Sequence, residues 1–268
     1  MTSEAAPPRL PEQPLRRILV IGIGAGDPDH LTVQAIDALN RAQVLFVPDK
    51  GADKGDLRRI RHDICRRFIA HQGVRLVEFA ALRRRADIAG YAETVAEWHG
   101  RIADQYEDLL NRELGEGGVG GFLVWGDPSL YDSTLRVIEA VRARGRLALD
   151  CEVIPGITSV QALAARHRVA LNRIGGPVHI TTGRRLVDGV PDGLDDLVVM
   201  LDGDGAFARL ERDDLDIFWG AYLGTEDEIL ACGKLSEVAG DIARLRAEAR
   251  ARKGWIMDTY LLRRRDAS

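Results

Sequence analysis

The sequence predicts an α/β protein that is built from two α/β domains. The predicted strand 16–23 contains the continuous apolar run 18–21, as in a strand that is covered on both faces. A glycine-rich turn, a helix and a second apolar strand follow, and this βαβ order favours a parallel sheet in the first half. The second half contains more predicted strands and fewer predicted helices, which favours a mixed sheet there.

The elements of the first half follow from the spacing of its apolar residues. Thr32 caps a predicted helix that reaches residue 41, and Asp56 begins another in which apolar positions recur every three or four residues. A long helix is predicted over 91–115, and Asp132 caps a helix that continues to residue 144. The predicted strands of this half are 16–23, 44–47, 74–79 and 122–125.

The second half reads as a series of short strands. A short helix is predicted over 157–166, after a Pro-Gly pair, and a longer helix over 241–252. The predicted strands are 147–154, 178–181, 197–201, 218–223, 229–235 and 255–262.

The predicted domain boundary lies in the 145–155 region, where alternating strands and helices give way to a series of short strands. The predicted N-terminal α/β domain spans 16–148, and the predicted C-terminal α/β domain spans 149–268. We expect residues 1–15 to be disordered, because they include several prolines and no apolar run.

The composition excludes several classes of function. The chain has 268 residues, 46% of them hydrophobic, and a formal net charge of −4, which gives no electrostatic argument for nucleic-acid binding. No apolar run approaches the ~18 residues of a membrane-spanning helix. The three cysteines are far apart and the histidines lack ligand spacing, so we expect no metal site and a cytoplasmic protein.

The glycine-rich turn at 22–28 admits more than one interpretation. A dinucleotide-binding fingerprint needs glycines at its first, third and sixth positions, and Gly22 and Gly24 fill the first two. Asp27 occupies the sixth position and would repel a pyrophosphate. Asp49 could imitate the carboxylate that binds a ribose, so a dinucleotide-dependent oxidoreductase stays an alternative, as does a tight turn without a ligand. A Walker-type loop is excluded, because no Gly-Lys-Ser/Thr follows.

Three motifs occur in order along the chain. The first is Gly-Ile-Gly-Ala-Gly-Asp-Pro at 22–28, the second is Trp-Gly-Asp-Pro-Ser-Leu-Tyr at 125–131, and the third is Pro-Gly-Ile-Thr-Ser at 155–159. Together they resemble the signatures of the tetrapyrrole methylases, the S-adenosylmethionine-dependent enzymes of corrin and sirohaem synthesis. Ala25 stands where that family usually has proline, and Trp125 where it often has a small residue. The resemblance covers about residues 16–262 and implies two α/β domains with the active-site cleft between them, and a homodimer.

The resemblance also implies a binding site for S-adenosylmethionine, the co-substrate, without a metal. Glycine turns let the backbone approach a ligand closely, and a dry cleft favours a transfer in which a sulfonium loses its charge. The implied cofactor-binding residues are Gly24, Ala25, Gly126, Asp127, Pro128, Tyr131, Asp132, Thr158, Ser159, Met200, Leu201 and Tyr222.

Four further stretches, at 47–50, 57–65, 125–134 and 254–260, resemble the family members that methylate precorrin-5 at C-1 in aerobic cobalamin synthesis and release acetate. Hydrolytic loss of an acyl group calls for a positioned base, and Asp49, Asp27 and Tyr222 are the candidate catalytic residues. A methylase of the same family that acts at another position or on another substrate, ribosomal RNA included, is the alternative. The acidic net charge argues against the RNA substrate.

A tetrapyrrole substrate carries many carboxylates, which guanidinium groups can bind in pairs of hydrogen bonds. Arg58, Arg59 and Arg61 lie on one predicted helix and are the candidate ligands for them. A solvated helix face is the alternative interpretation of these arginines. A non-enzymatic carrier of the cofactor or of a tetrapyrrole is the alternative outside the enzymes.

Overall fold

The structure, a computed structural model, describes residues 15–49, 51, 55–82, 91–186, 189–191 and 193–265, with the backbone alone for 91–96. The segment predicted to be disordered lies outside these ranges, except for Leu15. No helix within the described ranges is long and apolar enough to cross a membrane.

The first half forms a five-stranded, wholly parallel sheet in the order β3-β2-β4-β1-β5. Its strands are β1 (Arg16–Gly22), β2 (Val44–Asp49), β3 (Arg75–Ala80), β4 (Val119–Val124) and β5 (Leu149–Ile154). Its helices are α1 (Val33–Arg41), α2 (Gly55–Phe68), α3 (Tyr91–Glu113) and α4 (Thr134–Ala143). Successive residues of β1 pack on opposite faces, since Ile18 joins the core under α3 and α4 and Leu19 joins the core under α1 and α2. The predicted parallel sheet, covered on both faces, is confirmed.

The second half forms a five-stranded mixed sheet in the order β6-β7-β10-β8-β9. In the part of this sheet that the structure describes, β6 and β7 pair in parallel and the other adjacent strands pair antiparallel. The strands are β6 (His179–Thr182), β7 (Asp196–Met200), β8 (Leu215–Ala221), β9 (Ile229–Lys234) and β10 (Asp258–Arg264). The helices are α5 (Ser159–His167), the four-residue α6 (Gly183–Leu186) and α7 (Leu235–Lys253). Leu163 of α5 packs on one face of this sheet and Ile242 of α7 on the other. The predicted mixed sheet is confirmed.

Strand β5 lies in the first sheet, where it pairs in parallel with β1. The predicted boundary between residues 148 and 149 falls just before this strand and would separate it from its partner. The apolar pattern of a strand indicates that the strand is buried, but it does not indicate which other strand pairs with it. The pairing of β5 with β1 therefore does not follow from the pattern alone. The chain passes to the second sheet after β5, through the turn at 155–158.

The ends of several elements differ from the predicted ones by a few residues. Helix α5 begins at Ser159, because Thr158 and Gln161 form a capping box that satisfies the first free backbone groups. Helix α7 begins at Leu235, earlier than predicted, and β10 begins at Asp258, later than predicted.

Candidate active site

The three sequence motifs meet at one edge of the first sheet. They follow β1, β4 and β5, which lie side by side, and ligands of parallel α/β sheets bind at this carboxyl edge. The first two turns exchange backbone hydrogen bonds, from Gly24 N to Gly126 O at 3.3 Å and from Gly126 N to Gly24 O at 2.8 Å. The turns therefore form one continuous backbone surface.

Glycine is required at these turns for two different reasons. A Cβ on Gly22 would lie 2.6 Å from Gly156 N and 2.9 Å from Gly126 O, so the first and third turns can approach only without it. Gly126 has a φ of +68°, which side chains rarely adopt, but a Cβ there would meet only Thr158 Cα at 3.7 Å. A Cβ at Gly126 would therefore fit without a clash, so glycine is needed there for its backbone conformation and not for space.

Asp127 connects the second turn to the third. Its Oδ2 accepts a hydrogen bond from Gly156 N at 2.8 Å, and its Oδ1 accepts from Ser129 N at 2.7 Å and from the Ser129 hydroxyl. Burial works to raise the pKa of Asp127, but these hydrogen bonds to its charged form outweigh burial and lower the pKa. The structure thus gives Asp127 the role of holding the turns together.

Backbone strain concentrates at the predicted cofactor contacts. Among the described residues, the non-glycine residues with positive φ are Tyr131 (53°), Arg168 (57°), Leu201 (52°) and Tyr222 (50°). Arg168 ends helix α5, but the other three follow the second turn, β7 and β8. Such conformations cost roughly 1–3 kcal/mol each and cluster at functional sites. Leu201 and Tyr222 lie outside the three motifs, so the strain at these two positions supports the site independently of them.

The second sheet brings its strand ends to the same place. Ser159 Oγ lies 2.9 Å from Thr259 Oγ1, and Thr259 is paired with Met200 across β10 and β7. Leu201 follows Met200 and is 61% exposed. Tyr131 donates from its hydroxyl to Ile180 O at 3.3 Å, which joins the second turn to β6.

Tyr222 is buried, and its hydroxyl is already engaged. The hydroxyl donates to Trp255 O at 2.6 Å, and the two rings pack edge to face at 5.2 Å. Burial raises the pKa of Tyr222. The backbone of Tyr222 is engaged as well, because its N–H donates to Met257 O at 2.9 Å and its carbonyl accepts from Thr225 N at 3.0 Å. The hydroxyl proton of Tyr222 is therefore held by the chain itself.

The two candidate aspartates each close a local turn. Asp27 caps a short 3-10 helix by accepting from Asp29 N at 2.9 Å. Asp49 ends β2, two strands from β1 at the same carboxyl edge, and accepts from Gly51 N at 2.9 Å. The guanidinium of Arg58 lies 3.8 Å from the other oxygen of Asp49.

The three candidate arginines of α2 have different surroundings. Arg58 lies among Asp49 and Glu78 and is half exposed, whereas Arg59 is largely exposed and lies 3.9 Å from Asp56. Arg61 is only 3% exposed. Burial lowers the pKa of Arg61 to about 10, which still leaves the guanidinium charged at neutral pH. The alternative of a solvated helix face therefore fails for Arg61.

Two pockets flank the meeting point of the turns. The first, of about 160 Å³, is lined by Gly26, Arg59, Tyr222 and Lys253 among others. Lys253 bridges the halves of the molecule, because its Nζ lies 2.7 Å from an Asp56 oxygen and also pairs with Asp227. The second, of about 170 Å³, includes Trp125 and Asp132 of the second motif and is lined further by Arg61.

A buried polar network behind Leu201 was missed at the level of sequence. Asp202 accepts from Gly205 N at 2.9 Å, from Ala206 N at 2.7 Å and from the Tyr260 hydroxyl at 2.7 Å. Arg246 donates to Asp202 O and pairs with Asp258 at 2.9 Å. Burial raises the pKa of Asp258 in spite of that pairing. The signal in the sequence was an aspartate directly after the predicted strand 197–201 and another inside the predicted strand 255–262.

Comparison with known proteins gives the family. The sequence model of the family described as Tetrapyrrole (Corrin/Porphyrin) Methylases matches residues 17–239. A protein of Sinorhizobium sp. named precorrin-6A synthase (deacetylating) is 56% identical over 94% of this chain and 97% of its own length.

Solved structures agree with this assignment. A protein of Corynebacterium diphtheriae that has been related to cobalamin synthesis has a TM-score of 0.81 at 41% identity, over 94% of this chain and all (100%) of its own. A uroporphyrin-III C-methyltransferase of Thermus thermophilus, solved with S-adenosylhomocysteine, has a TM-score of 0.57 at 19% identity, over 92% of this chain and 96% of its own. The second likeness is one of fold alone. None of these relatives favours the alternative of a dinucleotide-dependent oxidoreductase.

Proposed function

The chain belongs to the tetrapyrrole (corrin/porphyrin) methylase family, and from this premise we propose that it is a deacetylating precorrin-6A synthase. The reaction is transfer of a methyl group from S-adenosylmethionine to C-1 of precorrin-5, with release of acetate. The observation that carries the proposal is the high identity with the Sinorhizobium protein along nearly the whole of both chains.

The residues of the three turns fit a folded nucleoside sulfonium. We assign to this site Gly126, where a Cβ would fit without a clash, and the exposed Leu201. The strained Tyr131 and Tyr222 and the hydroxyl of Ser159 belong to the same proposed site. When bound, S-adenosylmethionine supplies an electrophilic methyl group. Gly24, Ala25, Pro128, Asp132, Thr158 and Met200 complete the proposed binding surface, while Asp127 keeps the second and third turns in register.

The chain's contribution to methyl transfer is to position the reactants and exclude water. An in-line displacement needs the reacting carbons roughly 3–3.5 Å apart and little acid–base assistance. The apolar surfaces of Leu201 and Met200 lower the polarity around the sulfonium, which favours loss of its charge.

Release of acetate adds a hydrolytic step, for which we assign Asp49 as the base. Water adds to the acyl carbonyl while a carboxylate takes its proton, and the bond between the acyl carbon and the macrocycle then breaks with its electron pair left on the macrocycle. Asp49 is preferred to Asp27 and Tyr222, because its carboxylate is half exposed beside a cation and the Tyr222 proton is already engaged.

Mass analysis of the product from precorrin-5 and methyl-labelled S-adenosylmethionine tests the proposal. We expect one added methyl group, loss of the acyl group and one acetate per turnover, in a metal-free buffer. A methylated product that retains the acyl group would favour a methylase acting at another position. Turnover of NADP in place of S-adenosylmethionine would refute the proposal.

We also infer that the protein works as a cytoplasmic homodimer on a small tetrapyrrole and binds neither nucleic acid nor membrane. The family resemblance supports the dimer, and the net charge of −4 supports the absence of nucleic acid. Sedimentation equilibrium at micromolar concentration tests the dimer, and a mass of one chain would contradict it.

A further inference from the structure

The second pocket contains a buried arginine, Arg61, that has no role in the reaction proposed above. It lies at the carboxyl ends of β2 and β4, under α2, α3 and α4, and has a volume of about 170 Å³. Its lining includes an arginine, Arg61, and an aspartate, Asp132, and its aromatic wall consists of Phe79, Trp98, Tyr106, Phe122 and Trp125.

Arg61 is a buried cation without an ion pair to any residue that the structure describes. Its Nη1 donates to Leu57 O at 3.0 Å and its Nε to Leu123 O at 3.4 Å, and its guanidinium carbon lies 5.8 Å from the ring centre of Trp125. No carboxylate of the described residues lies within 4.0 Å of it. A buried charge is costly without a charged partner or a full set of hydrogen bonds, so this guanidinium is suited to an added anion.

Asp132 only partly offsets this charge. It is the carboxylate of the pocket and acts on Arg61 through space, but one of its oxygens is used by Thr134 N at 2.7 Å. The two side chains do not form an ion pair, since they are more than 4.0 Å apart. Burial also raises the pKa of Tyr106, which stays neutral and keeps its proton. The pocket thus combines one cation and a neutral hydroxyl with a single, separated carboxylate.

The aromatic wall and the volume define the size of the ligand. Tyr106 and Phe122 stack at 4.5 Å, and Phe79 meets the edge of Tyr106 at 5.7 Å, so the wall is rigid and apolar. Pockets for whole drug-sized ligands span about 300–1,000 Å³. A pocket of about 170 Å³ therefore accommodates a substituent or a very small molecule, and not a macrocycle.

We propose that this pocket is a subsite for a carboxylate on a short alkyl stem, with the carboxylate on Arg61 and the stem against the aromatic wall. Two sources share this chemistry, a carboxylate arm of the macrocycle and the acetate that the reaction releases. The identity of the source rests on the proposed function, but binding of the carboxylate does not.

Titration of the full-length protein with sodium propionate at constant ionic strength tests the subsite without turnover. Trp98 and Trp125 line the pocket, so their fluorescence reports occupancy, and propionate saturation-transfer NMR gives an independent readout. We expect saturable binding in the millimolar range and none of comparable strength for propanamide, which has the same shape and no charge. Arg61→Met should weaken binding about 10- to 100-fold, as loss of a charge-assisted hydrogen bond predicts.

Arg66→Met is the matched control, because Arg66 lies on the same helix, is 82% exposed and pairs with Asp63. It should leave propionate binding within twofold of the wild type. Asp132→Asn removes the opposing charge and should tighten binding about threefold, which keeps the test decisive if Arg61→Met does not fold. Absence of saturable binding to the wild type, equal binding by Arg61→Met, or equal binding of propanamide would each overturn the subsite.

Turnover assays then separate the two sources. If an arm of the macrocycle enters the pocket, Arg61→Met should raise KM for precorrin-5 about tenfold and leave the affinity for S-adenosylmethionine unchanged. If acetate occupies it, Arg61→Met should abolish inhibition by added acetate and leave KM unchanged. Propionate binding through Arg61 in a protein that does not turn over precorrin-5 would refute the proposed function and leave the subsite standing.

Discussion

Replacement of Gly126 separates the conformational role of a glycine from its role at a ligand site. Gly126 has a φ of +68° at the candidate site, and Gly145, after α4, has a φ of +67° with no heavy atom within 4 Å of a built Cβ. Alanine at either position has to adopt a left-handed conformation, which costs an L-residue roughly 1–2 kcal/mol. Reduced freedom of the unfolded chain returns about 0.4–1 kcal/mol of that cost.

We therefore expect Gly126→Ala and Gly145→Ala to lower the free energy of unfolding by similar amounts, each at most about 1.6 kcal/mol. Neither change creates a clash, since the nearest atom to a Cβ on Gly126 is Thr158 Cα at 3.7 Å. Urea denaturation measures both values and shows that both variants are folded.

Only Gly126→Ala should weaken binding of S-adenosylmethionine, because its methyl group would occupy the space proposed for the ligand. A loss of about 1–3 kcal/mol corresponds to an increase in Kd of about 5- to 150-fold. Isothermal titration calorimetry measures this, with Gly145→Ala expected to stay within twofold of the wild type. An unchanged Kd for Gly126→Ala, or an equal increase for both variants, would refute the proposed position of the cofactor.

Three further changes address the base, the connection between turns and the buried network. Asp49→Asn should slow acetate release by ~10²–10⁴ and leave the affinity for S-adenosylmethionine nearly unchanged. The yields of acetate and of demethylated cofactor, measured in one quench series, test this. A parallel fall of both yields would contradict a purely hydrolytic role. Because the pKa of Asp127 is lowered in the folded protein, its stabilisation is present above the ordinary aspartate pKa of about 3.9 and is lost as the pH falls through the lowered value. Asp127→Asn should accordingly flatten the acid limb of a stability-versus-pH curve, and an unaltered limb would show that the carboxylate charge does not hold the turns. Arg246→Met leaves Asp258 buried without its cation. It should lower the free energy of unfolding, measured by chemical denaturation, by about 3–5 kcal/mol. A loss below ~1 kcal/mol would show that the hydrogen bond from Trp219 is enough to stabilise the buried Asp258.

Local patterns predicted much of the fold correctly. The apolar run of β1 indicated burial on both faces, and Ile18 and Leu19 indeed lie in opposite cores with no exposed surface. Thr32 was predicted to cap α1, and its hydroxyl accepts from Ala35 N at 3.0 Å. Such features depend on a few consecutive residues, so the sequence shows them directly.

The candidate site was predictable only as separate pieces. The motif at 155–159 could be found in the sequence, but its contact with Gly22 depends on β5 lying beside β1. The strain at Leu201 and Tyr222 could not be read from residue types, because neither leucine nor tyrosine favours a positive φ. Their backbone conformations are imposed by the strands and turns around them.

By itself, the sequence determined where the strands and helices lie, which turns need glycine and which motifs the chain shares with a family. The tertiary structure alone decided that β5 joins the first sheet and that Arg61 is buried while Arg59, two residues earlier on the same helix, is exposed. The physical reason is the range of the interactions. Propensity, capping and turn geometry act between near neighbours in the chain, whereas strand pairing and the burial of a charge depend on residues far away in the sequence.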